Sequence, residues 1–201
     1  MSVEKKIVFV DVETTGLPDR DRYGNYVTPR NKAAYDNARL LSLSYMITDD
    51  TGNTIMNPKE LFVKPYGFTI PEKISALTGI TTDNANERGI HLNSVVTEFE
   101  RDIREHDVTC FISHNVAFDK SIVMNSALRR HWIKDPLLLH MEGEMRYKCT
   151  SKLIKSKLGR YMKLSEAVKD ILKEEPVGLH TALQDMKYCK KLYFYLEESH
   201  N

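Results

Sequence analysis

Asp11 and Glu13 stand two residues apart where the apolar run Ile7-Val8-Phe9-Val10 gives out. Such a run favours a strand, and side chains two apart on a strand share a face. Both carboxylates therefore project the same way from the end of a buried strand. Like charges this close repel, and burial strengthens the repulsion. A cation between them removes the conflict, and carboxylate oxygen is the ligand type that Mg²⁺ or Mn²⁺ takes. Two solvated acids at a surface strand end are the plain alternative, and this pair alone does not choose between the two. Thr14-Thr15-Gly16 follows, offering hydroxyls and a flexible backbone beside the charges.

Two further acids fall at element ends. Asp119 comes just after the short apolar segment Val108-Thr109-Cys110-Phe111-Ile112, where the chain enters a helix. Asp185 lies one turn inside the last predicted helix. If a central sheet gathers these ends, Asp11, Glu13, Asp119 and Asp185 can meet. Four acids around two divalent ions is the chemistry of phosphodiester cleavage, in which one ion activates a water and both stabilise the transition-state charge. Hydrolysis also needs a proton acceptor, and His180 precedes Asp185 by five residues. Five residues of α-helix turn through about 500°, leaving the two roughly 140° apart. His180 is therefore expected in the loop before the helix, a mobile base beside a rigid ligand.

The elements that must position these groups follow from periodicity and turn residues. Strands are expected over Lys6–Glu13, Arg39–Thr48, a hairpin partner ending at Leu61-Phe62-Val63, Val108–Ile112 and Arg146–Cys149. Helices are expected at Pro71–Leu77, His91–His106, from Asp119 to about Arg130, Lys152–Leu158, Leu164–Leu172 and Thr181–Leu196. The order indicates α/β or α+β with a central mixed sheet. Residues 18–38 form a long loop, basic and aromatic through Arg20, Arg22, Tyr23, Tyr26, Arg30 and Tyr35, with a helical turn at Lys32–Asn37. Unstructured loops of this length are more often functional than short ones.

At 201 residues, with 29 basic and 28 acidic side chains for a net charge of +1, the chain is expected to be a single domain, 1–201. It has no bulk field for a polyanion or membrane, so any such contact must be local. Cys110, Cys149 and Cys189 are odd in number and far apart, which indicates neither a disulfide framework nor a zinc cluster. No segment has the character of a signal peptide or a membrane span. An intracellular, reducing compartment, cytoplasmic or nuclear, and no membrane partner are expected.

Asp11-Val12-Glu13-Thr14-Thr15-Gly16-Leu17 resembles the first motif of the DnaQ-like, or DEDDh, 3′→5′ exonucleases. His114-Asn115-Val116-Ala117-Phe118-Asp119 resembles their second, and His180-Thr181-Ala182-Leu183-Gln184-Asp185 their third, H-x-A-x-x-D. Ile70-Pro71 through Leu77-Thr78-Gly79-Ile80-Thr81 resembles the segment between the first two. The four occur in the family's order over nearly the whole chain. Thr181 stands where a sister group carries a tyrosine base, so the histidine type is the match. The resemblance implies a ribonuclease H-like α/β fold, a five-stranded mixed sheet flanked by helices. It implies that Asp11, Glu13 and Asp185 hold one metal and that Asp11 bridges to a second with Asp119 helping through water. It also implies a terminal-nucleotide pocket from Thr14, Thr15, Leu17, Leu77 and Thr78, shaped by Asn115 and Phe118.

The implied activity is 3′→5′ hydrolysis of single-stranded nucleic acid to nucleoside 5′-monophosphates, with His180 as general base and two Mg²⁺ or Mn²⁺ ions. Thr14 and Leu17-Pro18 are more like the DNA-directed members, so DNA is favoured over RNA; an RNA-directed exoribonuclease is the neighbouring alternative. A catalytically silent nucleic-acid-binding domain and a ribonuclease H-type endonuclease are the readings from other classes. No fused polymerase is expected, and an editing partner is left open. His114 is expected to hold its turn. His91, His106, His131, His140 and His200 are expected at the surface, and Trp132 in packing. Lys152, Lys155, Lys157, Arg160 and Lys163 form a charge-rich run that is either a solvated face or a track for a phosphate backbone.

Overall fold

Alternation along the first strand sorts its side chains onto two faces, and each face is covered by different helices. The computed structural model describes residues 5–130, 135–143 and 145–198; His131, Trp132 and His200 lie outside them. Five strands form one sheet: β1 (Lys6–Thr14), β2 (Leu40–Thr48), β3 (Thr54–Phe62), β4 (Val108–Ser113) and β5 (Arg146–Cys149). Eight α-helices are present among the described residues: α1 (Glu72–Thr78), α2 (Thr82–Arg88), α3 (Leu92–Glu105), α4 (Val116–Leu128), α5 (Pro136–Gly143), α6 (Thr150–Leu158), α7 (Leu164–Asp170) and α8 (Ala182–Glu198). The order across the sheet is β3-β2-β1-β4-β5. The pairs β1–β2 and β2–β3 are antiparallel, and β1–β4 and β4–β5 are parallel. This is the five-stranded mixed sheet expected from the sequence.

Val8, Val10 and Val12 of β1 pack with Phe99 and Ile103 of α3, Ile122 and Val123 of α4, and Leu137 of α5. Ile7 and Phe9 face the other way, against Met186, Cys189 and Tyr193 of α8. Phe9 is fully buried and meets the Tyr193 ring at 5.6 Å, edge to face. Burying such a side chain contributes about 1.5–3 kcal/mol. The odd-numbered register that puts Ile7 and Phe9 under α8 continues to Asp11 and Glu13. The acids are thus carried to the α8 side by the alternation that builds the core.

The 18–38 segment departs from expectation in being folded back on itself. Arg20 bridges Tyr26, and the Asp21 carboxylate accepts the N–H groups of Tyr23 and Asn25 at 2.8 and 3.0 Å. A 3-10 turn follows at Lys32–Tyr35. Tyr35 is core rather than surface: it is fully buried and its hydroxyl donates to Val27 O at 2.6 Å. Asn125 of α4 and Arg129, which caps its C-terminus, donate to Pro29 O and Lys32 O at 2.8 and 2.9 Å, and Arg30 forks onto both oxygens of Glu142. Helices α2 and α5 were not expected. His106 and His140 are half-buried, their rings bonded to the carbonyls of Asp102 and Val108, so they are structural rather than superficial. No helix among the described residues is long and apolar enough to cross a membrane.

Candidate active site

Two helices and one strand end deliver the acids. β4 stops at Ser113, one residue past Ile112, which pairs with Phe9, so Asp11 and Glu13 extend beyond its end. Only His114 and Asn115 separate β4 from α4, and Asp119 falls in the first turn of that helix. Asp119 is four residues from Val123, which faces the core, so it shares the inward face and is 3% exposed. Asp185 is four residues before Cys189 and eight before Tyr193, both packed on the sheet. The same helical face therefore turns Asp185 toward β1. Both Asp119 and Asp185 sit in helix first turns, where the dipole favours negative charge.

One carboxylate oxygen from each of Asp11, Glu13 and Asp185 lies within 4.8 Å of the other two. Two oxygens on opposite sides of one Mg²⁺ stand about 4.2 Å apart, twice a 2.1 Å bond. The three groups close on one hard cation with side-chain shifts of a few tenths of an ångström. The Asp185 Oδ1 atom is buried and has no hydrogen-bond partner, an orphan that a cation would satisfy. Asp119 stands outside this set of three but within electrostatic reach of Asp11 and Asp185. The donor set suits a divalent oxygen-binding ion.

The electrostatics show how strongly the four carboxylates oppose one another's charge. Burial, then the charges of Asp119, Asp185 and Glu13, push the Asp11 carboxyl well above the usual carboxylate range. Glu13 is pushed up to about 8 by burial and by Asp185, Asp119 and Glu60. Asp119 rises to about 7 through burial, although the neighbouring Ser113 and nearby backbone N–H groups oppose the shift. Asp185 rises to about 6, again through burial, with His180 opposing it. Acids gathered this closely and raised by burial and by one another's charge fit a site for a cation.

His180 is exposed and lies outside α8, as the spacing predicted, with its backbone at φ +65°. A non-glycine residue in that region is uncommon, and here it follows Gly178 at φ +69° in the turn that enters α8. Thr181 holds the turn, its hydroxyl donating to Gly178 O at 2.9 Å. His114 has the structural place expected of it. Its ring nitrogens lie 2.9 Å from Thr150 Oγ1 and 3.1 Å from Met162 O, and burial pulls its pKa down.

The residues named for a nucleotide pocket fall into two groups. Leu17 and Leu77 are 62% and 52% exposed, large apolar side chains that the core does not use. Glu13, Thr78 and Thr181 line one cavity of ≈ 320 Å³. By contrast, the Thr15 hydroxyl is occupied, donating to Asn37 O and accepting from Arg39 N–H. Thr14 donates to Gly16 O at 2.6 Å, and a Cβ on Gly16 would stand 2.7 Å from Asn37 O, so only glycine fits there. Asn115 is exposed at the start of α4, and Phe118 packs on the Tyr26 ring at 5.8 Å. Sequence reasoning missed Ser42 and Ser44. They pair with Glu13 and Asp11 on the same face and are fully buried with unpartnered hydroxyls. Two serines alternating through an otherwise apolar strand, Leu41-Ser42-Leu43-Ser44, were the available signal.

The sequence model of the family described as Exonuclease matches residues 8–193. Comparison with curated proteins finds no match. Among solved structures the chain is similar to exonuclease I in the work suggesting how processivity is achieved, with TM-score 0.76 and 18% identity over 96% of this chain and 41% of that one. It is similar to the zinc-bound form of E. coli exonuclease I with single-stranded DNA, with TM-score 0.75 and 18% identity over 98% of this chain and 41% of that one. It is also similar to E. coli exonuclease I in complex with a dT13 oligonucleotide, with TM-score 0.76 and 17% identity over 96% and 41%. At these identities the likeness shows the fold, the ribonuclease H-like sheet and its helices. The chain spans about two-fifths of the length of those structures, 41% in each.

Proposed function

This chain belongs to the exonuclease family, and from that premise we propose that it is a metal-dependent 3′→5′ exonuclease acting on single-stranded nucleic acid. The observation that carries the proposal is the convergence of Asp11, Glu13 and Asp185 within 4.8 Å, with one oxygen of the Asp185 carboxylate buried and unpartnered. Asp11, Glu13 and Asp185 would hold one divalent cation, Mg²⁺ or Mn²⁺, and Asp11 with Asp119 a second. Such ions, when bound, neutralise phosphate charge and lower the pKa of the attacking water. The rest falls to the protein. Leu17 and Leu77 give apolar contact to the terminal base, and Thr14 and Thr78 shape the space beside it. His180 takes the proton of the water at a ring nitrogen. Its place in a turn lets the imidazole adjust, while Asp185 is fixed by the α8 face packed on β1. The products would be nucleoside 5′-monophosphates.

DNA is favoured over RNA. Thr14 and Leu17-Pro18 support this, as do the oligodeoxynucleotides held by E. coli exonuclease I. The test is side-by-side digestion of single-stranded DNA, duplex DNA and RNA with Mg²⁺ or Mn²⁺. Fastest release of monophosphates from single-stranded DNA is expected; faster release from RNA would reverse the preference, and none from any substrate would leave a silent binding domain.

A further inference from the structure

We propose that a groove between the 20–26 hairpin and the segment from α6 into α7 binds the single strand upstream of the 3′ end, a reading that rests on the function proposed above. The groove has a volume of ≈ 1330 Å³. It is lined by Arg20 and Tyr26 from the hairpin, Lys120 from α4, and Lys152, Tyr161 and Lys163 from α6 and its approach to α7. One end adjoins the acids: Asn115 also lines the groove and stands one helical turn before Asp119. Phe118, next to Asp119, rests on Tyr26, so the hairpin abuts the helix that carries the acid.

Charge and shape agree on the occupant. Four cations face two acids in the groove, in a chain whose net charge is only +1. One of those acids, Glu142, is taken by Arg30, and the other, Glu166, accepts the backbone N–H of Lys163. Among the described residues Lys152 and Lys163 form no ion pair. Tyr161 is 56% exposed, with the Lys155 ammonium 4.4 Å from its ring centre. Tyr26 carries the Arg20 guanidinium at 4.3 Å. Cations spaced for phosphates and aromatic rings for bases are how a single strand is held without regard to sequence. The lysine run expected to be either solvated or a phosphate track supplies one side. The hairpin supplies the other through Arg20 alone, since Arg30 is committed to Glu142 and Arg22 lies over Tyr23 outside the groove.

The experiment measures binding of 5′-labelled oligothymidylates of increasing length to the full chain, with Ca²⁺ in place of a catalytic ion. The variants are Lys152→Glu/Lys163→Glu, the same pair to alanine, and Lys5→Glu/Lys187→Glu as an exposed, charge-matched control away from the groove. Wild type and control are expected to gain affinity with length until the groove is filled. The groove variants should lose that gain, and the glutamate pair should lose roughly 1–1.5 units of salt slope, at about 0.7 per phosphate contact. Hydrolysis of the p-nitrophenyl ester of thymidine 5′-monophosphate, which needs only the terminal pocket, should be equal in all of them. A groove variant with the wild-type length dependence and salt slope overturns the groove. A wild type inactive on the ester and on every strand overturns the exonuclease reading instead, while the binding measurements still decide the groove.

Discussion

Asp11 of β1 and Asp185 of α8 enter the site from opposite ends of the chain and bring carboxylate oxygens within 4.8 Å of each other. The Asp185 charge raises the pKa of Asp11, Glu13 and Asp119. The arrangement is unfavourable by itself, and a cation would relieve it.

Asp11→Asn should abolish cleavage, because it removes the carboxylate shared between both proposed ions. The same change relieves repulsion, so in EDTA the variant should melt at a higher temperature than wild type. Added Mn²⁺ should raise the melting temperature of wild type and leave the variant nearly unmoved. Near-normal turnover of the variant with Mg²⁺ would end the two-ion reading.

The pH dependence of stability has a definite sign. Unfolded carboxyls titrate near pH 4, whereas here burial pushes Asp185, Asp119 and Glu13 up to about 6, 7 and 8, and Asp11 is also raised. Between these limits the folded state binds more protons than the unfolded one. The stability these groups contribute is therefore complete below about pH 4 and is lost as pH rises through their folded values. Melting temperatures in EDTA should fall from pH 5 to 8, more in wild type than in Asp11→Asn. Mn²⁺ binding at pH 6 should release protons, measurable as a buffer-dependent heat. Metal binding with no proton release would contradict the raised carboxyls.

His180→Ala should slow hydrolysis by roughly 10²–10⁴-fold, the usual worth of a positioned general base. Metal binding and strand affinity should stay close to wild type, because the histidine is no ligand. A variant that keeps its rate would show that another group accepts the proton.

Much of this site was legible in the sequence because it depends on local rules. Strand alternation put Asp11 and Glu13 on one face, and the helical angle between His180 and Asp185 placed the histidine outside α8. What was not legible depends on long-range contacts. The 18–38 segment has its shape because Asn125 of α4 and Arg129 at its C-terminal end bond its carbonyls nearly a hundred residues away. Helix α2 is polar almost throughout, with only Ala85 buried, so it shows no apolar stripe. Helix α5 is the reverse, a short apolar stretch with no polar face to give a period. The pairing of Ser42 and Ser44 with the acids required the β1–β2 register, which no short-range pattern specifies.

Leu17→Ala and Leu77→Ala test the terminal pocket. Both side chains are largely exposed, so each change should leave stability within about 0.5 kcal/mol. Each should raise KM for oligonucleotides and leave metal affinity unaltered. A change in melting temperature without a change in KM would place these leucines in packing instead.

The most direct test is digestion of a 5′-labelled single-stranded oligonucleotide with Mg²⁺ or Mn²⁺, resolved by length over time. A ladder of products shortening one nucleotide at a time from the 3′ end is expected, absent in EDTA and with Asp11→Asn. Internal cuts would mark an endonuclease, and no cleavage by the metal-loaded wild type would contradict the account altogether.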